Sequence, residues 1–168
     1  ELTAAEWEAI IAMLVEVGGK LTVAITAGWV EASGRITPFP KRFPDQAALL
    51  RQGLERGLLE IANHGYTHCV LQDRLFRPRL FSGNRQHHRE FYDWLPDAVH
   101  REHLHRSQDI LQSYFGAPSE TLVPPGNVLS AKTVAAAPGV GIRYISCLDA
   151  GRRGSAADVM FVDPARIV

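Results

Sequence analysis

Cysteine is scarce in this chain: only Cys69 and Cys147 occur in 168 residues. Two cysteines make no disulfide framework of the kind small secreted domains rely on, so the expected setting is reduced and cytoplasmic. Charge of one sign is also missing. Lys plus Arg and Asp plus Glu both number 18, giving a formal net charge of zero. That removes the electrostatic case for nucleic acid or an anionic membrane as partner. No apolar run approaches the roughly 20 residues needed to cross a bilayer. No charged-then-apolar signal segment opens the chain, although a removed leader would leave no trace. There is no internal repeat, no low-complexity segment and no visible domain boundary, so residues 1–168 are expected to form a single domain. What remains is ordinary globular material, 46% hydrophobic and 21% charged, and long enough to bury a sizeable core.

Thr3 and Glu6 have the spacing of a capping box, and Trp7, Ile10, Ile11, Leu14 and Val15 follow at helical period. Gly18-Gly19 should stop this helix. Lys20–Thr26 is β-branched and apolar, a buried strand. Ala27-Gly28-Trp29 reads as a loop at the strand's end, and residues 32–44, with Gly34, Pro38, Pro40 and Pro44, read as a loop too. A second helix is expected from Pro44 to about Arg56 with Ala48, Leu49 and Leu54 on its apolar side, then a strand over Leu58–Ala62. Residues 70–93 read as a long irregular segment rich in Arg and His. A helix then runs from Asp97 to about Phe115, and a short strand Glu120–Val123 leads into Pro124-Pro125-Gly126-Asn127. Ser130 should cap a short helix to Ala137. Strands are expected at Gly141–Cys147 and Asp158–Val162, separated by a loop over 149–157, with a further one beginning at Ala165–Val168. Alternating helices and strands predict parallel strands with helices packed outside.

In such folds the sites lie at the C-terminal ends of strands. Two unusual stretches fall there. One is Asn63-His64-Gly65-Tyr66-Thr67-His68, which offers two imidazoles four residues apart. Neutral imidazole is a common metal ligand, and residues i and i+4 share a face if the segment takes one turn. Asn63, Tyr66 and Thr67 could supply supporting hydrogen bonds. The spacing alone admits a metal site or a plain structural turn. The other stretch is Pro124–Asn127, which reads as a functional wall or merely as a stiff turn. His87 and His88 fall in a polar loop. His100, His103 and His105 share a helix with Arg101, Glu102 and Arg106 and read as a solvated face. Arg74, Arg77, Arg79, Arg85 and Arg89 could meet an anionic substrate or solvent. Cys69 reads as a core residue, and Trp29 and Trp94 as sugar-stacking or plugging side chains.

These two stretches, in this order and about 55 residues apart, resemble the second and third motifs of the polysaccharide deacetylases. This is the NodB-homology superfamily, or carbohydrate esterase family four, and the likeness is to a divergent branch. Asn63-His64-Gly65-Tyr66-Thr67-His68 is similar to Asn-His-(Ser/Thr)-x-x-His, with Gly65 where Ser or Thr is commonest. Val123-Pro124-Pro125-Gly126-Asn127 is similar to the family's Pro-rich third motif, with Leu122 where an Arg would stand. The resemblance spans essentially the whole chain. It implies a distorted (β/α) barrel of about seven strands and a divalent metal, usually zinc, held by an Asp and by His64 and His68. It implies a carbohydrate substrate bound by Asn63, Tyr66 and the Pro124, Pro125, Gly126 and Asn127 turn, whose backbone N–H groups would lie near the developing oxyanion. The activity implied is hydrolysis of N-acetyl groups in bacterial surface-polysaccharide metabolism, with an inactive carbohydrate-binding relative as the alternative. The family's first motif, with the ligand Asp and the base, precedes the first helix, whereas this chain opens on that helix. The acid His follows the last strand, where this chain ends. A longer protein is therefore expected, with the third ligand, base and acid outside this segment. Asp149, Asp158 and Asp163 are possible replacement ligands.

Overall fold

The computed structural model describes residues 2–31, 33–69, 90–147, 155–156 and 159–162. Helix α1 (Ala4–Val17) starts as expected. The Thr3 hydroxyl accepts from the Glu6 N–H, and the Glu6 carboxylate accepts from the Thr3 N–H at 2.7 Å. Gly18 closes the helix at φ 64°. Replacing Thr3 with Ala removes one half of this reciprocal pair. We expect a loss of about 0.5–2 kcal/mol, read as a lowered midpoint in urea unfolding with unchanged slope.

Strand β1 (Leu21–Ile25) follows. The stretch expected as a loop instead contains a small antiparallel hairpin, β2 (Gly28–Val30) against β3 (Ile36–Pro38), and a one-turn helix, α2 (Phe39–Arg42). Trp29, Val30, Ile36 and Thr37 favour strands, but runs of three residues bounded by Gly28 and Pro38 are too short to show a period within a Gly- and Pro-containing stretch. Helix α3 (Pro44–Glu55) buries Ala47, Leu50 and Gly53 rather than Ala48 and Leu49. Gly53 fixes that rotation: a Cβ there would sit 2.5 Å from Leu59 Cδ1, so only glycine allows the helix this close to the next strand.

That strand is β4 (Leu59–Asn63), paired in parallel with β1 from Leu21↔Leu59 to Ile25↔Asn63. Helix α4 (Asp97–Phe115) leads to β5 (Thr121–Leu122). A tight 3-10 turn at Pro125–Asn127 follows, then helix α5 (Ala131–Ala136), capped by Ser130 as expected. A second 3-10 turn (Ala137–Val140) precedes β6 (Tyr144–Ser146). Two strands, β7 (Ser155–Ala156) and β8 (Val159–Val162), complete the described chain. Strand β7 lies inside the stretch expected as a loop.

The sheet order is β1-β4-β5-β6-β8-β7. The first five strands in that order are parallel, and β7 joins antiparallel to β8. Among the described residues the sheet is open, with β1 at one edge, as in a truncated (β/α) barrel rather than a closed one. One register row crosses it, through Ile25, Asn63, Leu122, Ile145 and Phe161. Val23, Ile25, Leu59 and Ile61 pack with Leu14, Leu50, Leu111 and Phe115 in one core. Leu104, Leu122, Val134, Ile142, Ile145 and Val159 form a second core. The parallel strands end on one side of the sheet, which sets both unusual stretches next to each other. Arg74, Arg77, Arg79, Arg85, His87, His88, Arg89, Asp149, Asp158, Asp163 and the strand expected at 165–168 lie outside the described residues.

Candidate metal and carbohydrate site

Asn63 ends β4 by using its whole hydrogen-bonding capacity. Its N–H donates to Ser119 Oγ at 3.0 Å, its amide nitrogen to Ser107 Oγ at 2.8 Å, and its Oδ1 accepts the Gly65 N–H at 2.8 Å. Its carbonyl accepts from the Val123 N–H. The side chain is fully buried and turned toward α4. The expectation that Asn63 binds substrate is therefore corrected: it is a buried anchor that starts the turn. Tyr66 is buried too, its ring edge on His103 with centroids 5.4 Å apart and its hydroxyl accepting from Arg106. It offers little surface to a ligand, which corrects the same expectation for Tyr66.

From Ile61 to Cys69, only His64 and His68 keep partial exposure; every other residue is buried. Their ring centroids are 4.9 Å apart at an interplanar angle of 59°. Two imidazoles on one tetrahedral zinc, each bound at roughly 2.0–2.1 Å, put their centroids roughly 5 Å apart. His64 Nδ1 donates to the Val123 carbonyl at 2.6 Å, which turns its Nε2 outward as the lone-pair nitrogen. A second hydrogen bond of that kind is what orients metal-ligating histidines. Burial holds His64 below the ordinary imidazole value, the Val123 carbonyl pulling the other way. It is therefore neutral at pH 7, the form that binds metal. This donor set fits a divalent cation. Among the described residues no third His, Cys, Asp or Glu joins the pair in a metal-holding group.

The Pro124–Asn127 turn abuts this loop. A Cβ on Gly65 would lie 2.9 Å from Pro125 Cγ. Pro124 and Pro125 are buried and Asn127 is exposed, at φ 56°. The Asn127 N–H donates to the Pro124 carbonyl and the Val128 N–H to the Pro125 carbonyl. Those two N–H groups close the turn on itself.

Sequence reasoning missed Glu90 and misplaced two histidines. Glu90 is buried beneath the His turn, accepting from the Tyr66, Thr67 and His68 N–H groups and bonded to His103 Nδ1. His100 and His103 are buried rather than solvated, and only His105 of the three is exposed. The signal was available: His100, His103, Leu104, Ser107, Gln108 and Leu111 continue one helical stripe. His100 Nδ1 meets Thr133 Oγ1 at 2.9 Å, and its ring stacks on Phe91. Burial, helped by Lys132, holds His100 below the usual imidazole value. The folded state thus disfavours the proton that the unfolded chain takes up near pH 6.5. Stability from this group is complete above that pH and is lost as pH falls below it. We expect His100→Gln to flatten the fall in urea stability below pH 6.5; an identical pH slope in the variant would refute the assignment.

A parallel α/β sheet with paired imidazoles at the C-terminal ends of its strands has the layout of a (β/α) fold whose site lies at the strand ends. The polysaccharide deacetylase family model matches residues 3–145, and the chain belongs to that family. No curated protein matches the chain. Similar solved structures include the BpsB deacetylase domain from Bordetella bronchiseptica, with 20% identity and a TM-score of 0.58 over 95% of this chain and 67% of that one. A de-N-acetylase from Aggregatibacter actinomycetemcomitans has 15% identity and a TM-score of 0.59, over 94% of this chain and 64% of the other. A family-four (CE4) pseudoenzyme from Bacillus anthracis has 12% identity and a TM-score of 0.57, over 97% and 51%. The chain thus spans from 51% to 67% of the lengths of these three structures.

Proposed function

We propose that this protein removes N-acetyl groups from a carbohydrate in bacterial surface-polysaccharide metabolism, using a divalent metal, zinc by preference, held by His64 and His68. The carrying observation is the pair of partly exposed imidazoles, 4.9 Å apart, one already oriented by a backbone carbonyl. A bound divalent cation would polarise the acetyl carbonyl and lower the pKa of water. His64 and His68 would hold it through ring nitrogens. Val123 fixes the His64 ring through Nδ1, and Asn63 fixes the start of the turn. The exposed Asn127 and the Pro124–Gly126 turn form one wall of the approach. Further ligands and the proton-transfer groups are assigned to none of the described residues.

A second reading is a carbohydrate-binding relative without activity, as the similar structure of a family-four pseudoenzyme suggests. Metal analysis combined with acetate release from N-acetylated sugars separates the two. Metal and acetate together support the enzyme, and sugar binding without acetate supports the binder. Unchanged metal content in both His64→Ala and His68→Ala sinks the proposed site.

A further inference from the structure

We infer that Glu90 is a positioning residue for the imidazole pair, holding His68 in its ligating orientation through the backbone of the His turn. This rests on the metal-site reading above. Glutamate is almost never fully buried without partners, and Glu90 is 1% exposed. Its partners are three consecutive backbone N–H groups of the turn. Oε1 accepts from Tyr66 at 2.9 Å, and Oε2 from Thr67 at 3.3 Å and His68 at 3.0 Å. His103 Nδ1 bonds the same carboxyl from α4.

Two features show that the turn is shaped to this carboxyl. His68 has φ 60°, a left-handed conformation that costs a non-glycine residue roughly 1–2 kcal/mol. Such a conformation persists only where its surroundings over-determine it, and the His68 N–H is held on Glu90 Oε2. At the other end of the turn Gly65 has φ 78°, and a Cβ there would lie 2.1 Å from Glu90 Oε2. The carboxyl therefore occupies the space a side chain at 65 would need. The direction in which the His68 ring leaves the backbone is fixed by that left-handed residue, so Glu90 acts on the metal through His68 without touching it.

The test measures Zn²⁺ and Co²⁺ binding by titration and records the visible absorption of bound Co²⁺. Loss of an outer hydrogen-bonding partner of a ligand typically lowers affinity about 10–100-fold. Glu90→Gln keeps the shape but turns an N–H₂ group toward the backbone donors, and it should show that loss together with a changed Co²⁺ spectrum. His103→Leu, which releases the carboxyl from α4, should do the same, and His103→Gln, whose amide can still donate, should restore affinity. Should Glu90→Gln fail to fold, the two His103 variants carry the test. Wild-type affinity and spectrum in Glu90→Gln, or in His103→Leu, overturn the inference while leaving the metal site standing. If the wild-type protein binds neither ion through His64, the metal-site reading falls and this inference falls with it.

Discussion

Replacing His64 with alanine should remove at least about a hundredfold of the zinc affinity, since even the loss of an outer partner costs 10–100-fold and a ligand should cost more. Thermal unfolding gives the reading. With zinc at a hundred times the wild-type Kd, ligation stabilises the folded state by about 2.7 kcal/mol. For a chain of this size that is roughly 5–11 °C in Tm. A hundredfold weaker site at the same zinc concentration retains only about 0.4 kcal/mol. The zinc-dependent rise in Tm should therefore nearly vanish in the variant, while Tm without zinc falls by only the few degrees that about 1 kcal/mol for the lost Val123 hydrogen bond implies. Equal zinc-dependent shifts in both proteins would assign the metal elsewhere.

The second large effect is on stability. Gly65→Ala places a methyl group where Glu90 Oε2 would be 2.1 Å away and Pro125 Cγ 2.9 Å away, at φ 78°. The left-handed backbone costs an alanine about 1–2 kcal/mol. Forcing extra volume into a packed site adds about 1–3 kcal/mol. The expected loss is therefore about 2–5 kcal/mol, measured as a lower denaturation midpoint in guanidinium. A loss below about 0.5 kcal/mol, the size of an ordinary surface substitution, would show that the carboxyl does not occupy that space.

The imidazole pair was legible because both histidines lie within one short motif just after an apolar strand, and helix α1 because its cap and stripe are local. Glu90 was not, since its partners in the turn are 22–24 residues away and His103 is 13 away, and no short spacing links them. Asn63 was misread for a related reason. Its polarity looked like a ligand-facing feature, whereas the register Ile25↔Asn63↔Leu122 places it in an apolar row, where Ser107 and Ser119 meet it. His100 and His103 were masked by charged neighbours on the opposite side of the helix. The hairpin of β2 and β3 pairs strand-favouring residues, Trp29 with Thr37 and Val30 with Ile36, but each strand is only three residues long, too short for an alternating pattern to show.

Five successive amides of the His turn are engaged. The His64 N–H donates to Ile25, that of Gly65 to Asn63, and those of Tyr66, Thr67 and His68 to Glu90. Binding loops normally surrender conformational freedom when a ligand arrives, and that ordering weakens affinity. Here the ordering is completed during folding, so a ligand meeting His64 and His68 encounters a preorganised receptor whose rigidity is part of the stability of the whole domain.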